Sequence, residues 1–429
     1  MTMVGPFTGP LSAEHAGQLD RDDPLAAFRQ RFVIDDPDLI YLDGNSLGRL
    51  PKATAEVVQR VVDREWGQRL IRGWNESWWL KLQQRIGDKI GRLIGASAGE
   101  TIVADSTSLN LFKVVLAGLQ AKPERKKIVT DDLNFPSDLY ILNSACRLLG
   151  SQYHVEVIPS PDGVHGPVEA IQDALDGDTA LLALSHTAFK SAYVYDLPFM
   201  TERAHSAGAL ALWDLSHSAG AVLVGLDDGQ ADLAVGCSYK YLNGGPGSLA
   251  FLYVRHDLQA DLQNPITGWI GHQSPFDFEL SYRAADGLAG FLTGTPAVLS
   301  IASIEPGVDL LLEAGIEEVR AKSMRQSEYL IRLWEAFLAP LGYTLNSPAA
   351  AARRGSHISL GHPQGWGIDR ALIEELNVIP DFRQPDNIRL GIAPLYTTFS
   401  EIFEAVQRLC TAVVEKRYLK YDRAAEEVT

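Results

Sequence analysis

Cysteine is scarce in this chain, positive charge is outweighed, and long apolar runs are missing. Three cysteines occur in 429 residues. They are Cys146, Cys237 and Cys410, far apart and without a CxxC pair, which excludes a disulfide framework and a zinc ribbon and fits a reducing compartment. Lys and Arg total 38 against 54 Asp and Glu, a net charge of −16. Such a surface repels phosphate backbones, so nucleic acid is not an expected partner. No stretch approaches the ~20 apolar residues of a membrane span, and residues 1–20 have neither the basic start nor the apolar core of a secretory signal. A cytoplasmic protein is predicted. Ten histidines are scattered without an HExxH pair, so no metal site is expected. What remains is an ordinary globular composition, 46% hydrophobic and 21% charged, in a chain too long for one core, which predicts a large and a small domain.

Chemistry is densest between Ala209 and Gly247. A buried strand, Ala209 to Trp213, ends on Asp214 and His217. A second apolar run, Asp232 to Cys237, ends on Ser238, Tyr239 and Lys240, followed by Gly244, Gly245 and Gly247. Apolar runs bounded by turn residues read as parallel strands covered on both faces, and in such sheets a ligand lies beyond the strands' carboxyl ends. An acid, a histidine and a lysine are thereby delivered to one crevice. The trio suits pyridoxal phosphate, whose aldehyde a lysine carries as a Schiff base and whose pyridine nitrogen a carboxylate keeps protonated. Taken singly, Lys240 reads as a solvated turn lysine and Asp214 as a helix cap. The aromatic before the lysine and the glycines after it favour the joint reading.

Asp214-Leu215-Ser216-His217, followed by Ser238-Tyr239-Lys240-Tyr241-Leu242-Asn243-Gly244-Gly245-Pro246-Gly247, resembles the cofactor-binding segment of the kynureninases, which are fold-type-I pyridoxal phosphate enzymes of the aminotransferase class V-like superfamily. The resemblance implies that Lys240 carries the cofactor and serves as general base, that Asp214 faces the ring nitrogen, and that His217 and Tyr239 also contact the cofactor, Tyr239 beside its phosphate and able to relay a proton.

Further motifs extend the resemblance from Tyr41 to about Tyr396. Asp43-Gly44-Asn45-Ser46 reads by itself as a loop in which Gly44 and Gly48 bend the chain at positive φ; the resemblance assigns Asn45 and Ser46 to the substrate pocket. Ile102 to Asn110 leads from a strand into a helix, where small hydroxyl residues serve either as a helix cap or as an anion site. By resemblance Thr107 and Ser108 hold the cofactor phosphate. Phe135-Pro136-Ser137-Asp138 is otherwise a turn; the resemblance has Phe135 stack on the pyridine ring and Asp138 lie near its nitrogen, and it places Ser185 near the cofactor. Ser191-Ala192 stands where many relatives have a threonine-glycine pair, a departure that keeps a hydroxyl but not a glycine for any close backbone approach there. By resemblance Trp269 and Thr295 reach across a homodimer to the other subunit's phosphate; by itself Trp269 reads as a packing residue. Trp74, Trp78 and Trp79 either line an aromatic pocket or pack in the core or between subunits. Arg389, in an apolar strand, needs an anionic partner, which is either a structural carboxylate or, by resemblance, the substrate α-carboxylate.

Strands alternating with helical patterns predict an α/β fold. By resemblance it is fold-type-I pyridoxal phosphate-dependent transferase-like, with a mostly parallel seven-stranded sheet flanked by helices and a smaller α+β C-terminal domain. The expected division is 1–50, contributing to the small domain and the substrate pocket; 51–304, the cofactor-binding domain; and 305–429. Helices are predicted from Pro51 to Trp66, from Ser77 to Ile94 and from about Asp369, and the polar end, 423–429, is expected to fray. The implied activity is hydrolysis of L-kynurenine, or its 3-hydroxy derivative, to anthranilate (3-hydroxyanthranilate) and L-alanine, in tryptophan catabolism or towards NAD. An aminotransferase, a cysteine desulfurase and a catalytically silent binding protein on the same fold are the alternatives.

Overall fold

In the computed structural model, which describes residues 9–421, the catalytic candidates fall along one edge of a single sheet. The first strand, β1 (Ile40–Tyr41), stands apart. Seven others form the large sheet, namely β2 (Thr101–Ala104), β3 (Lys127–Asp131), β4 (His154–Ile158), β5 (Thr179–Ser185), β6 (Leu210–Asp214), β7 (Leu233–Gly236) and β8 (Ala250–Val254). Their order is β2-β8-β7-β6-β5-β3-β4. The pairs β3–β4, β3–β5, β5–β6 and β6–β7 are parallel, and β8 runs against both its neighbours. Apart from β8, every strand points the same way, so the loops after β2, β3, β5, β6 and β7 converge. The strands between the edges are buried along their whole length, as two covering layers of helix require, and this explains their uninterrupted apolar sequences.

The C-terminal third builds a second, antiparallel sheet. With β9 (Thr344–Leu345), β10 (His357–Gly361), β11 (Val378–Ile379), β12 (Asp381–Arg383) and β13 (Asn387–Gly391), the order is β12-β13-β10-β9, while β11 pairs with β1 in parallel. Residues before β1 wrap this part. Asp20 accepts from the amides of Phe399 and Ser400, capping the last long helix, Phe399–Val414, and Lys322 meets Asp23 at 2.6 Å with both side chains buried. An apolar cluster of its own, including Tyr329, Leu360, Ile388 and Phe399, fills the space between this sheet and its helices.

Three local expectations change. The helix expected from Ser77 begins only at Leu82, because Trp78 sits at φ +59 and breaks the run. The helix expected from about Asp369 starts earlier, at Gly365. Gly44 and Gly48 are not at positive φ. Their smallness serves close approach instead: a Cβ on Gly44 would lie 2.4 Å from the Tyr396 hydroxyl, and one on Gly48 2.3 Å from the Lys240 carbonyl. The Gly48 amide donates to Tyr239 O at 2.8 Å, so the loop after β1 is stitched to the lysine segment. The end at 423–429 lies outside the described residues.

Candidate active site

A cavity of about 280 Å³ opens at the convergent edge of the large sheet, roofed by the loop after β1 and by β12 and β13. Asn45, Ser46, Thr107, Ser108, Phe135, Asp138, Asp214, His217, Tyr239, Lys240 and Arg389 all line it. Residues spread over more than three hundred positions meet because the parallel strands end together.

Asp214 ends β6 and is fixed by Ser216, whose amide and hydroxyl donate to its Oδ1 at 2.8 and 2.6 Å. Asp138, in the first turn of the helix Pro136–Leu149, is buried beside it. Burial, and then the neighbouring Asp214 charge, pushes the Asp138 carboxyl well above the usual range. Two adjacent carboxyls of which one stays protonated carry a single negative charge between them, which is what a protonated ring nitrogen needs opposite it. Lys240 Nζ lies 3.3 Å from His217 Nε2. Burial, and then the Lys240 charge, drives the His217 pKa well down, so the imidazole is neutral and can accept from the ammonium. Tyr239 is held protonated by the Cys237 thiol beside it and by burial; its hydroxyl is a donor.

At the other side, Ser106 caps the helix Thr107–Ala121 by accepting from Leu109 N at 3.3 Å, and Thr107 and Ser108 occupy the first helical positions. The positive end of a long helix with two hydroxyls is an anion site. Phe135 presents a 43% exposed ring to the cavity and meets Phe189 edge-on, with ring centroids 5.2 Å apart. Asn45 is wholly buried, and neither its Oδ1 nor its Nδ2 has a partner among the described residues. A Cβ at position 391 would come within 1.7 Å of that Oδ1, so Gly391 alone admits this amide to the cavity wall. An amine, a charge-neutralising acid pair, a flat apolar ring and a helix N-terminus facing one cavity fit pyridoxal phosphate, and the orphaned amide fits a further polar ligand.

Other expected residues stand elsewhere. Ser185 is beside Asp214 in the β5–β6 register, with its amide donating to Asn134 Oδ1, and is not among the residues that line the cavity. Trp269 lies away from it, donating to Pro275 O and stacked with Phe278. Thr295 lines a neighbouring hollow with Tyr239, Ser106 and Gly247. Trp74 and Trp79 pack edge-on, 5.7 Å apart, around a separate apolar hollow that Thr295 also reaches. Ala192 adopts φ +64, so this alanine holds the left-handed conformation that a glycine would take without cost.

Arg389 is 1% exposed, and its fork is already engaged. Nε donates to Asp381 Oδ1 at 2.6 Å, Nη2 to Asp381 Oδ2 and to Ser46 Oγ, and Nη1 to the Phe189 carbonyl. Sequence reasoning missed Asp381 and Arg383, and also Ser137, Ser216 and Phe189, which line the same cavity. A signal existed for the first pair: the alternation Asp381-Phe382-Arg383 puts two charges on one face of a strand, and β12 sets Asp381 opposite Arg389.

Comparison with known proteins agrees with this geometry. A family profile described as the kynureninase C-terminal domain matches residues 319–409. The kynureninase of Pseudomonas fluorescens is 44% identical over 395 residues, 91% of this chain and 93% of that protein. The kynureninase of Burkholderia pseudomallei strain 1106a is 42% identical over 400 residues, 92% of this chain and 94% of that protein. Among solved structures, an apo cysteine desulfurase from Thermococcus onnurineus NA1 superimposes with a TM-score of 0.76 at 17% identity, covering 93% of this chain and 98% of that one. A C-DES mutant with glycine covalently linked to its PLP cofactor gives 0.76 at 18% identity, covering 87% of this chain and 97% of that one. At that identity the two structures establish the fold, that of the fold-type-I pyridoxal phosphate enzymes, while the extended sequence identity is a matter of lineage. With the lysine, the acid pair and the arginine gathered in one cavity, the chain belongs to the kynureninase family.

Proposed function

We propose that the protein is a pyridoxal phosphate-dependent hydrolase that splits L-kynurenine, with one water, into anthranilate and L-alanine. The observation that carries this reading is the meeting of Lys240, Asp214 and Arg389 in one cavity of a chain that shares over two-fifths of its residues with kynureninases along almost its whole length. When bound, the cofactor supplies an aldehyde for an amine and a ring that takes up the electron pair left on the substrate's α-carbon. Lys240 takes the α-proton, and the neutral His217 at 3.3 Å orients its amine. Asp214, locked by Ser216 and partnered by the protonated Asp138, holds a single negative charge against the ring nitrogen. Phe135 would offer the ring an exposed aromatic face. Thr107, Ser108 and the helix behind them take the phosphate, and Tyr239 stays protonated as a donor. Arg389, with Ser46 and Asn45 around it, orients the substrate so that the reacting bonds stand in the right plane.

Several parts of the reading go beyond one subunit. Trp269 and Thr295 serve the neighbouring subunit's site in a homodimer. Exposed apolar side chains on nearby loops, Phe276, Phe278 and Leu280 with Trp66, Leu70, Ile71 and Trp78, support a buried partner face. The cofactor-binding domain spans 51–304 and the small domain 305–429, to which 1–50 contributes; the separate apolar cluster that joins Ala16, Leu19, Ile40 and Leu42 to side chains between Tyr329 and Ala412 supports two units, while Val308 to Val319 pack on the large core. Free cysteines, and the absence among the described residues of any helix long and apolar enough to cross a membrane, support a cytoplasmic setting. A desulfurase is disfavoured because none of the three cysteines lines the cavity and burial pushes every thiol pKa up.

The test is release of fluorescent anthranilate from L-kynurenine by the cofactor-loaded protein without any keto acid. A strict need for a keto acid replaces this reading with transamination.

A further inference from the structure

Two guanidiniums line the cavity, and they differ in how much of each remains available. A guanidinium has five N–H donors. Arg389 commits most of its own to Asp381, Ser46 and the Phe189 carbonyl, inside a shell that leaves it 1% exposed. Arg383, two residues after Asp381 on the same strand face, keeps a 32% exposed side chain in the cavity wall. Its Nη2 forms an ion pair with Asp381 Oδ2 at 2.6 Å, and its Nη1 donates to the neighbouring Phe382 carbonyl at 3.0 Å. Among the described residues, its Nε and at least one hydrogen on each terminal nitrogen have no acceptor.

Charge points the same way. Behind the two arginines lie Asp43, Asp369 and Asp381. Burial, and then the Asp381 charge, raises the Asp43 carboxyl to about 7 and that of Asp369 to about 8. Arg370, adjacent to Asp369, is paired with Glu374 at 2.7 Å. Below about pH 7 the cluster therefore sets one ionised carboxylate, Asp381, against two guanidiniums. One positive charge is left uncompensated in the cavity wall, on the partly exposed Arg383, where an anionic group entering the cavity meets it.

We propose that Arg383 is a substrate-binding residue that takes the α-carboxylate of the amino acid substrate with its unpartnered donors, while Arg389, locked to Asp381, supplies its one remaining Nη1 hydrogen and fixes where that carboxylate sits. Asp381 bridges the two guanidiniums and holds them in register. This inference rests on the kynureninase reading for the substrate but requires only that the ligand be an α-amino acid.

The test compares the wild-type holoenzyme with Arg383→Gln and Arg383→Lys, in turnover of L-kynurenine and in equilibrium binding of L-alanine and L-alaninamide. A charge-assisted hydrogen bond lost from the carboxylate raises KM and the L-alanine Kd about 10- to 100-fold in Arg383→Gln, with kcat changed far less. L-Alaninamide binding is expected to stay near the wild-type level, so the preference for the carboxylate narrows, and Arg383→Lys recovers part of it. Unchanged L-alanine binding, or equal losses for acid and amide, overturns the assignment. L-Alanine binding does not depend on which bond the enzyme breaks, so a wild-type protein that binds it with the expected arginine dependence yet releases no anthranilate refutes the activity and leaves Arg383 standing.

Discussion

Replacing Arg389 by methionine separates what this residue does for the fold from what it does for the substrate. The side chain is enclosed and bound at both edges to Asp381, itself only 2% exposed. Removing it leaves a buried carboxylate with two remaining partners, Arg383 at 2.6 Å and the Ser46 hydroxyl at 2.8 Å. Breaking a buried pair from one side costs about 3–5 kcal/mol, and those partners place this case near ~3 kcal/mol, roughly a hundredfold in the folding equilibrium. Substituting both members, Arg389→Met with Asp381→Asn, removes the stranded charge and is expected to recover about 2 kcal/mol of that loss, because a neutral amide can still accept from Ser46. Urea titration of the cofactor-loaded variants measures the first quantity, and anthranilate release the second. Stability is expected to return in the double variant while kcat/KM for L-kynurenine stays depressed by at least about tenfold. If the double variant regains wild-type kcat/KM, Arg389 is a structural partner of Asp381 and nothing more. A single variant destabilised by less than ~1 kcal/mol contradicts the burial argument itself.

Other outcomes follow from the same contacts. Lys240→Ala is expected to lose the visible absorption of bound cofactor on dialysis, and a colour that survives would refute the covalent attachment. Asp369 is buried, both oxygens are unpartnered among the described residues, and its carboxyl is raised to about 8. The folded state therefore holds a proton that the unfolded chain releases near pH 4, and stability from this group is lost as pH rises from about 4 to about 8. The advantage of Asp369→Asn over wild type should grow across that window by up to about 1.4 kcal/mol per pH unit and level off above it; a constant difference counts against the assignment. Asp43, raised to about 7, faces Asp381, Arg389, Arg383, the Ser46 hydroxyl and the phenols of Tyr41 and Tyr396. Its ionisation above pH 7 offsets the positive charge that awaits a carboxylate, so KM should rise up to about tenfold between pH 6 and 8 and the rise should be flattened in Asp43→Asn. Ala192→Gly relieves a left-handed alanine and should raise the urea midpoint by the equivalent of about 0.5–1 kcal/mol, the strain relieved less the added freedom of the unfolded glycine.

Much of the site was legible in the linear chain because it lies where strand signals stop. Asp214, Tyr239 and Lys240 each follow an apolar run whose length and composition mark a buried parallel strand, and the geometry of such sheets makes strand ends converge. Thr107, Ser108, Phe135 and Asp138 lie in short polar or turn motifs after β2 and β3 that read by themselves as caps or turns; only the family resemblance assigned them to the cofactor. The strand β12 left only a faint mark, since the alternation Asp381-Phe382-Arg383 is confined to three residues between Pro380 and Pro385, and with it Asp381 and Arg383 went unseen. Gly44 and Gly48 were recognised as necessary for the wrong reason, because close packing against Tyr396 and Lys240 cannot be inferred from either segment alone.

The sequence by itself determined the order of strands and helices, the buried character of the central strands and the identity of the amine and acid at their ends, since each is a property of a few neighbouring residues. Tertiary structure alone decided that Asp138 shares its charge with Asp214, that Asp381 occupies the fork of Arg389 and that Arg383 is left open to the cavity. These depend on the burial and mutual distance of groups far apart in the chain, and the strength of an electrostatic interaction is set by both.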